Sequence, residues 1–134
     1  MTTTTIDHAA ALRALADHIE GCELDTDITT IQFADAMDWN GLTLHIHSTE
    51  TTAAWVRSLF GVEARAFWHG ASVHIRITGT ITGALADTPV RLLFIATPAQ
   101  ERDIIAEFRH TLETTSSWGG GTPIKLPAAL GGAE

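Results

Sequence analysis

The stretch that decides the fold runs Val73-His74-Ile75-Arg76-Ile77-Thr78-Gly79-Thr80-Ile81-Thr82-Gly83-Ala84-Leu85, then Ala86-Asp87-Thr88-Pro89, then Val90-Arg91-Leu92-Leu93-Phe94-Ile95-Ala96. Its first part alternates without a break. Val73, Ile75, Ile77, Gly79, Ile81, Gly83 and Leu85 share one face; His74, Arg76, Thr78, Thr80 and Thr82 share the other. A period of two marks a long, half-buried strand. Ala86-Asp87-Thr88-Pro89 interrupts it, and Val90 to Ala96 reads as the return strand. A four-residue loop sets Leu85 opposite Val90, Gly83 opposite Leu92, Ile81 opposite Phe94 and Gly79 opposite Ala96.

Working outward, Val62 to Trp68 reads as a strand ahead of this hairpin. A two-residue turn at His69-Gly70 sets Glu63 opposite Arg76 and Arg65 opposite His74, an opposite-charge pair in register. Before it, Ser48 or Thr49 caps a short helix through Phe60, with Trp55, Val56 and Leu59 as its buried stripe. Ile28 to Ala34 and Leu42 to His47 read as strands joined at Asn40-Gly41, a strong hairpin signal because both residues tolerate positive φ. Asp7 to Glu20 forms the first helix, with Leu12, Leu15, Ala16 and Ile19 on one stripe. After the hairpin, Thr97-Pro98-Ala99-Gln100 opens a helix reaching Glu113, with Ile104, Ile105, Phe108 and Leu112 inward.

The order α-β-β-α-β-β-β-α implies an α+β fold of two layers. About five antiparallel strands carry three helices on one face. Profilin-like and roadblock-type domains share this order of elements, a likeness of fold that carries no function. Residues 1–115 form the single domain. Residues 116–134 hold five Gly and two Pro and form a C-terminal tail, from which Trp118 and Ile124-Lys125-Leu126 can dock.

The chain has 134 residues, 45 % apolar content and a formal net charge of −8. That suits one domain with an ordinary core. Its eight Lys and Arg are scattered with no basic stripe, which argues against nucleic acid. Cys22 is the single cysteine and excludes an internal disulfide; Glu20 and Glu23 beside it oppose thiolate formation. The opening Met1-Thr-Thr-Thr-Thr is unlike a signal peptide, and no apolar run nears the roughly 20 residues that span a bilayer. These features imply a soluble, cytoplasmic protein without a membrane partner.

Leu12-Arg13-Ala14-Leu15-Ala16-Asp17-His18-Ile19-Glu20 resembles the opening of many small uncharacterised proteins of actinobacteria and their phages, which begin LRALADxIE. Trp39-Asn40-Gly41-Leu42-Thr43-Leu44-His45 and Val90 to Glu101 share in the likeness, which covers about half the chain. It implies an accessory protein of a genome, plasmid or prophage. It carries over no site residues.

Seven histidines are the unusual feature. His45 and His47 stand on one face of a strand, a recurring spacing for metal ligands, and His74 adds a third candidate. Three histidines with an open position suit zinc and an activated water. A solvent-facing polar face accounts for the same residues with no cofactor. Other constellations fail: Ser116-Ser117-Trp118-Gly119-Gly120-Gly121 lacks a P-loop Lys and a following helix, and no G-x-S-x-G elbow exists.

The second face of the sheet is the best binding surface. It gathers Phe67, Arg76, Leu93 and Ile95, and the tail's Trp118 can join them. A strand apolar on both faces is normally covered on both. The expected cover is the tail or a second copy of the chain. The leading reading is a small soluble accessory or regulatory module acting by protein–protein contact, with a homodimer or another protein as partner. The alternative is a small metal-dependent or ligand-binding enzyme using the histidine face.

Overall fold

The computed structural model describes residues 8–24, 28–36, 39–69, 72–81, 88–97, 99, 101–107, 109 and 122–132. The elements are α1 (His8–Gly21), β1 (Ile28–Ala36), β2 (Trp39–Ile46), α2 (Thr49–Ser58), β3 (Phe60–His69), β4 (Ser72–Ile81), β5 (Thr88–Ala96), α3 (Arg102–Ala106), β6 (Thr122–Ile124) and a 3-10 turn at Ala128–Leu130. Through α3 this is the order read from the sequence. The sheet differs. It has six strands in the order β1-β2-β5-β4-β3-β6, and β2 runs parallel to β5 while every other pair is antiparallel. The expected five-stranded, wholly antiparallel sheet is therefore a mixed one.

The parallel pair follows from the route of the chain. From β2 it crosses through α2 to the far side and lays down β3 parallel to β2. Two antiparallel reversals, β3 to β4 and β4 to β5, then restore the original direction as β5 fills the gap beside β2.

Alternation delivers the faces as read. In β4 every second residue is buried: Val73, Ile75, Ile77, Gly79 and Ile81. Val90, Leu92, Phe94 and Ala96 do the same in β5, and Leu42, Leu44 and Ile46 in β2. They form one core with Ala11 and Leu15 of α1, Trp55 and Val56 of α2, Ile104 and Ile105 of α3, and Leu130. Each large apolar side chain buried there is worth about 1.5–3 kcal/mol.

Register is where the hairpin departs from expectation. Ile75 pairs with Phe94, Ile77 with Leu92, Gly79 with Val90 and Ile81 with Thr88. Thr88 and Pro89 belong to β5, so the four-residue loop is not formed. The slide is by an even number of residues, so no side chain changes face. Gly83 and Leu85 lie outside the described residues. Close packing holds Gly79 in place: a Cβ there would sit 2.9 Å from Leu59 Cβ and 3.3 Å from the Phe60 carbonyl oxygen. Facing it, β3 is irregular between Phe60 and Glu63, and Gly61 takes φ +63°.

Other boundaries shift for similar reasons. Ala36 pairs with Trp39, and Asn40 and Gly41, expected at the turn, sit inside β2, opposite Asp35 and Ala34. On α1 the buried residues are Ala11 and Leu15, while Leu12 is 47 % exposed. Ser48 caps α2, its Oγ accepting from the Thr51 amide at 3.2 Å. Helix α3 is described only from Arg102, with Glu101 as N-cap; Pro98, Gln100, Phe108 and Leu112 lie outside the described residues. Thr49 Oγ1 donates to Glu101 Oε1 at 3.1 Å and ties the starts of α2 and α3 together.

The described part of the 116–134 segment, residues 122–132, joins the domain. Thr122, Pro123 and Ile124 pair with Ala66, Arg65 and Ala64 of β3. Leu130 is buried in the core. Gly131 then turns with φ +88°, where a Cβ would lie 2.8 Å from the Ala53 carbonyl oxygen of α2.

Candidate binding face

On the face opposite the core, register places side chains in three rows. One row reads His45–Leu93–Arg76–Arg65 across β2, β5, β4 and β3. The next reads Thr43–Arg91–Thr78–Glu63. The third reads Ile95–His74–Phe67.

The expected Glu63–Arg76 pair is absent. Glu63 faces Thr78, and Arg76 faces Arg65. His69 lies opposite Ser72, and this moves the partners by two positions. Two guanidinium groups in direct opposition repel. Arg76 meets the aromatic ring of the neighbouring row instead: its Cζ lies 5.7 Å from the Phe67 centroid. The Phe67 and His74 rings, directly opposite each other, stand 5.2 Å apart at 41°. Phe67 thus has both a cation and an imidazole against its ring.

The apolar members are open in part. Ile95 is 38 % exposed and Leu93 is half-buried between His45 and Arg76. The described tail does not reach them: β6 lies at the far edge, beyond β3, and Leu130 packs into the core. Trp118 lies outside the described residues. Thr43 is only 2 % exposed, and its Oγ1 has no hydrogen-bond partner among the described residues; Arg76 Nε is in the same position.

The histidine set is not brought together. β5 runs between β2 and β4, so Leu93 and Ile95 stand between His45 and His74. Two strand spacings and a two-residue offset along the strands separate those histidines by about 11–12 Å at the backbone. His47 lies just past the end of β2, exposed. Among the described residues no three His, Cys, Asp or Glu side chains are grouped to hold a metal ion.

One polar cluster escaped the sequence reading. Ser58 Oγ donates to the Trp55 carbonyl at 2.6 Å, so it accepts from His18 Nε2 at 2.8 Å. That assigns the neutral ring's proton to Nε2 and turns the Nδ1 lone pair toward exposed Cys22, whose Sγ is 3.9 Å away. The His18 ring also packs on Trp55, with centroids 5.7 Å apart. Burial holds the His18 pKa below its ordinary value of 6.5. The cluster fastens α1 to α2. His18 and Cys22 are four residues apart in the sequence; Ser58, forty residues away in the chain, is brought to them only by the fold.

The face also carries Arg91, which the sequence reading did not place there, beside Arg65 and Arg76, which it did. Strand parity was the signal that could have found it.

Comparison of the chain with family models, with curated proteins and with solved structures gave no match. No helix among the described residues is long and apolar enough to cross a membrane.

Proposed function

We propose that this protein is a small accessory or regulatory module that works by protein–protein contact through the open face of its sheet. The observation that carries this reading is the exposed Ile95 beside half-buried Leu93, framed by Phe67 and Arg76 and not covered by any described helix. An apolar centre with an aromatic and an arginine beside it is the composition that anchors interfaces. The LRALADxIE-like first helix supports a place among accessory proteins of actinobacteria and their phages, acting in the cytoplasm.

The test is affinity capture from the native host, comparing the wild-type chain with a folded Ile95→Glu, Arg76→Glu double variant. Partners held by the wild type and lost by the variant support the reading. Identical partners on both would remove this face from the function.

A further inference from the structure

The ladder between β3 and β6 ends at the pair Ala64–Ile124. One step further would set Glu63 opposite Lys125, an opposite-charge pair. That step is not taken, because both strands turn aside there. β3 is irregular between Phe60 and Glu63, and Gly61 takes φ +63°. Past Ile124 the chain bends toward α2, where Leu130 is buried and Gly131 lies against Ala53 and Val56. The bend is fixed from within: the Leu130 and Gly132 amides both donate to the Pro127 carbonyl, at 2.9 and 3.0 Å.

The parting strands leave a cleft of about 610 Å³ between β3, α2 and the C-terminal segment. That is the size of a small-molecule site. Its apolar walls are Val56, Val62, Ala64 and Leu126, all buried or half-buried. Its charged groups are Glu63, Arg65 and Lys125, all exposed. Arg65 already has a partner. Glu63 and Lys125 have none among the described residues. The cleft therefore offers one carboxylate and one ammonium, from opposite walls, beside an apolar floor.

We propose that this cleft binds an apolar α-amino acid. Its ammonium donates to Glu63, its carboxylate accepts from Lys125, and its side chain lies against Val56, Val62 and Leu126. Charge complementarity selects the class. An anionic amphiphile that meets Lys125 is repelled by Glu63, and a cationic one that meets Glu63 is repelled by Lys125. A neutral apolar molecule uses neither. A zwitterion satisfies both and bridges the pair that the broken ladder holds apart. Its own net charge is zero, so the chain's net charge of −8 does not oppose its approach.

Titration of the full chain with L-leucine and with L-phenylalanine, followed by calorimetry and by methyl NMR shifts of Val56, Val62 and Leu126, tests this. At least one of the two amino acids saturates the site with a dissociation constant of about 1 mM or tighter, and those methyl groups shift. 4-Methylpentanoate lacks the ammonium of leucine, and 3-methylbutylamine lacks its carboxylate. Each binds at least roughly tenfold more weakly than leucine, the effect of one lost charge-assisted contact. Lys125→Gln and Glu63→Gln, both at exposed positions outside the core, each weaken the amino acid by a similar factor. No saturation by either amino acid up to about 10 mM overturns the proposal. So does binding of the two analogues as tight as that of leucine, or binding to both glutamine variants as tight as to the wild type.

Discussion

Arg76 lies directly opposite Arg65 on the open face, and its guanidinium carbon sits 5.7 Å from the centroid of the Phe67 ring. A like-charge pair is thereby accommodated by an aromatic neighbour one row away. The side chain that a salt bridge would have claimed is presented on an aromatic ledge.

Phe67→Leu keeps apolar bulk but removes the ring under Arg76. The expected loss is about 0.5–1 kcal/mol, the range for a cation–π contact at a partly exposed site. Repeating the change in an Arg76→Met background should cost less by that amount. Urea denaturation of the four chains of this cycle measures the coupling, and a coupling of zero refutes the contact.

Thr43 is buried, and its hydroxyl has no hydrogen-bond partner among the described residues. Thr43→Val preserves the branched shape on a central strand and deletes the hydroxyl. Leaving such a group unsatisfied costs about 1–3 kcal/mol, so the variant should be more stable by an amount at the lower end of that range. A rise in denaturation midpoint at unchanged slope is the expected result. A fall would mean that the hydroxyl is satisfied in solution.

Leu130 and Gly131 test the membership of the C-terminal segment in the domain. Leu130→Ala should cost about 2–5 kcal/mol, as for any large residue truncated in a core. Gly131→Ala meets the Ala53 carbonyl oxygen and a φ of +88°, and should cost about 1–3 kcal/mol. If either variant unfolds at the wild-type midpoint, residues 122–132 are not part of the cooperative unit.

His18 makes stability depend on pH. Its folded pKa lies below 6.5, so the unfolded chain binds the proton more readily. The stabilisation by neutral His18 is complete above 6.5 and is lost as pH falls from there through the lower, folded value. His18→Gln keeps a donor for Ser58 and removes the titration. Thermal midpoints of wild type and variant should converge or cross as the solution is acidified through that window. A constant difference between them would exclude His18 as the group responsible.

The local pattern of this chain was decisive for some features and silent on others. The alternation from Val73 to Ile81 and from Val90 to Ala96 assigned those residues of β4 and β5 to their faces, because successive strand side chains point to opposite sides. Ser48 or Thr49 marked the start of α2, and the structure uses Ser48, whose hydroxyl satisfies an otherwise orphaned amide. Tertiary structure alone decided how those pieces meet. Alternation survives any even slide of one strand along another, so it could not choose between Ile81 facing Phe94 and Ile81 facing Thr88. The close approach of Leu59 and Phe60 to Gly79 favours the observed packing. Nor could it show that β5 would enter between β2 and β4. That insertion makes the sheet mixed, parts His45 from His74 and puts Leu93 at the middle of the open face. It is set by where the crossover through α2 deposits β3, a contact between segments far apart in the chain that no local pattern encodes.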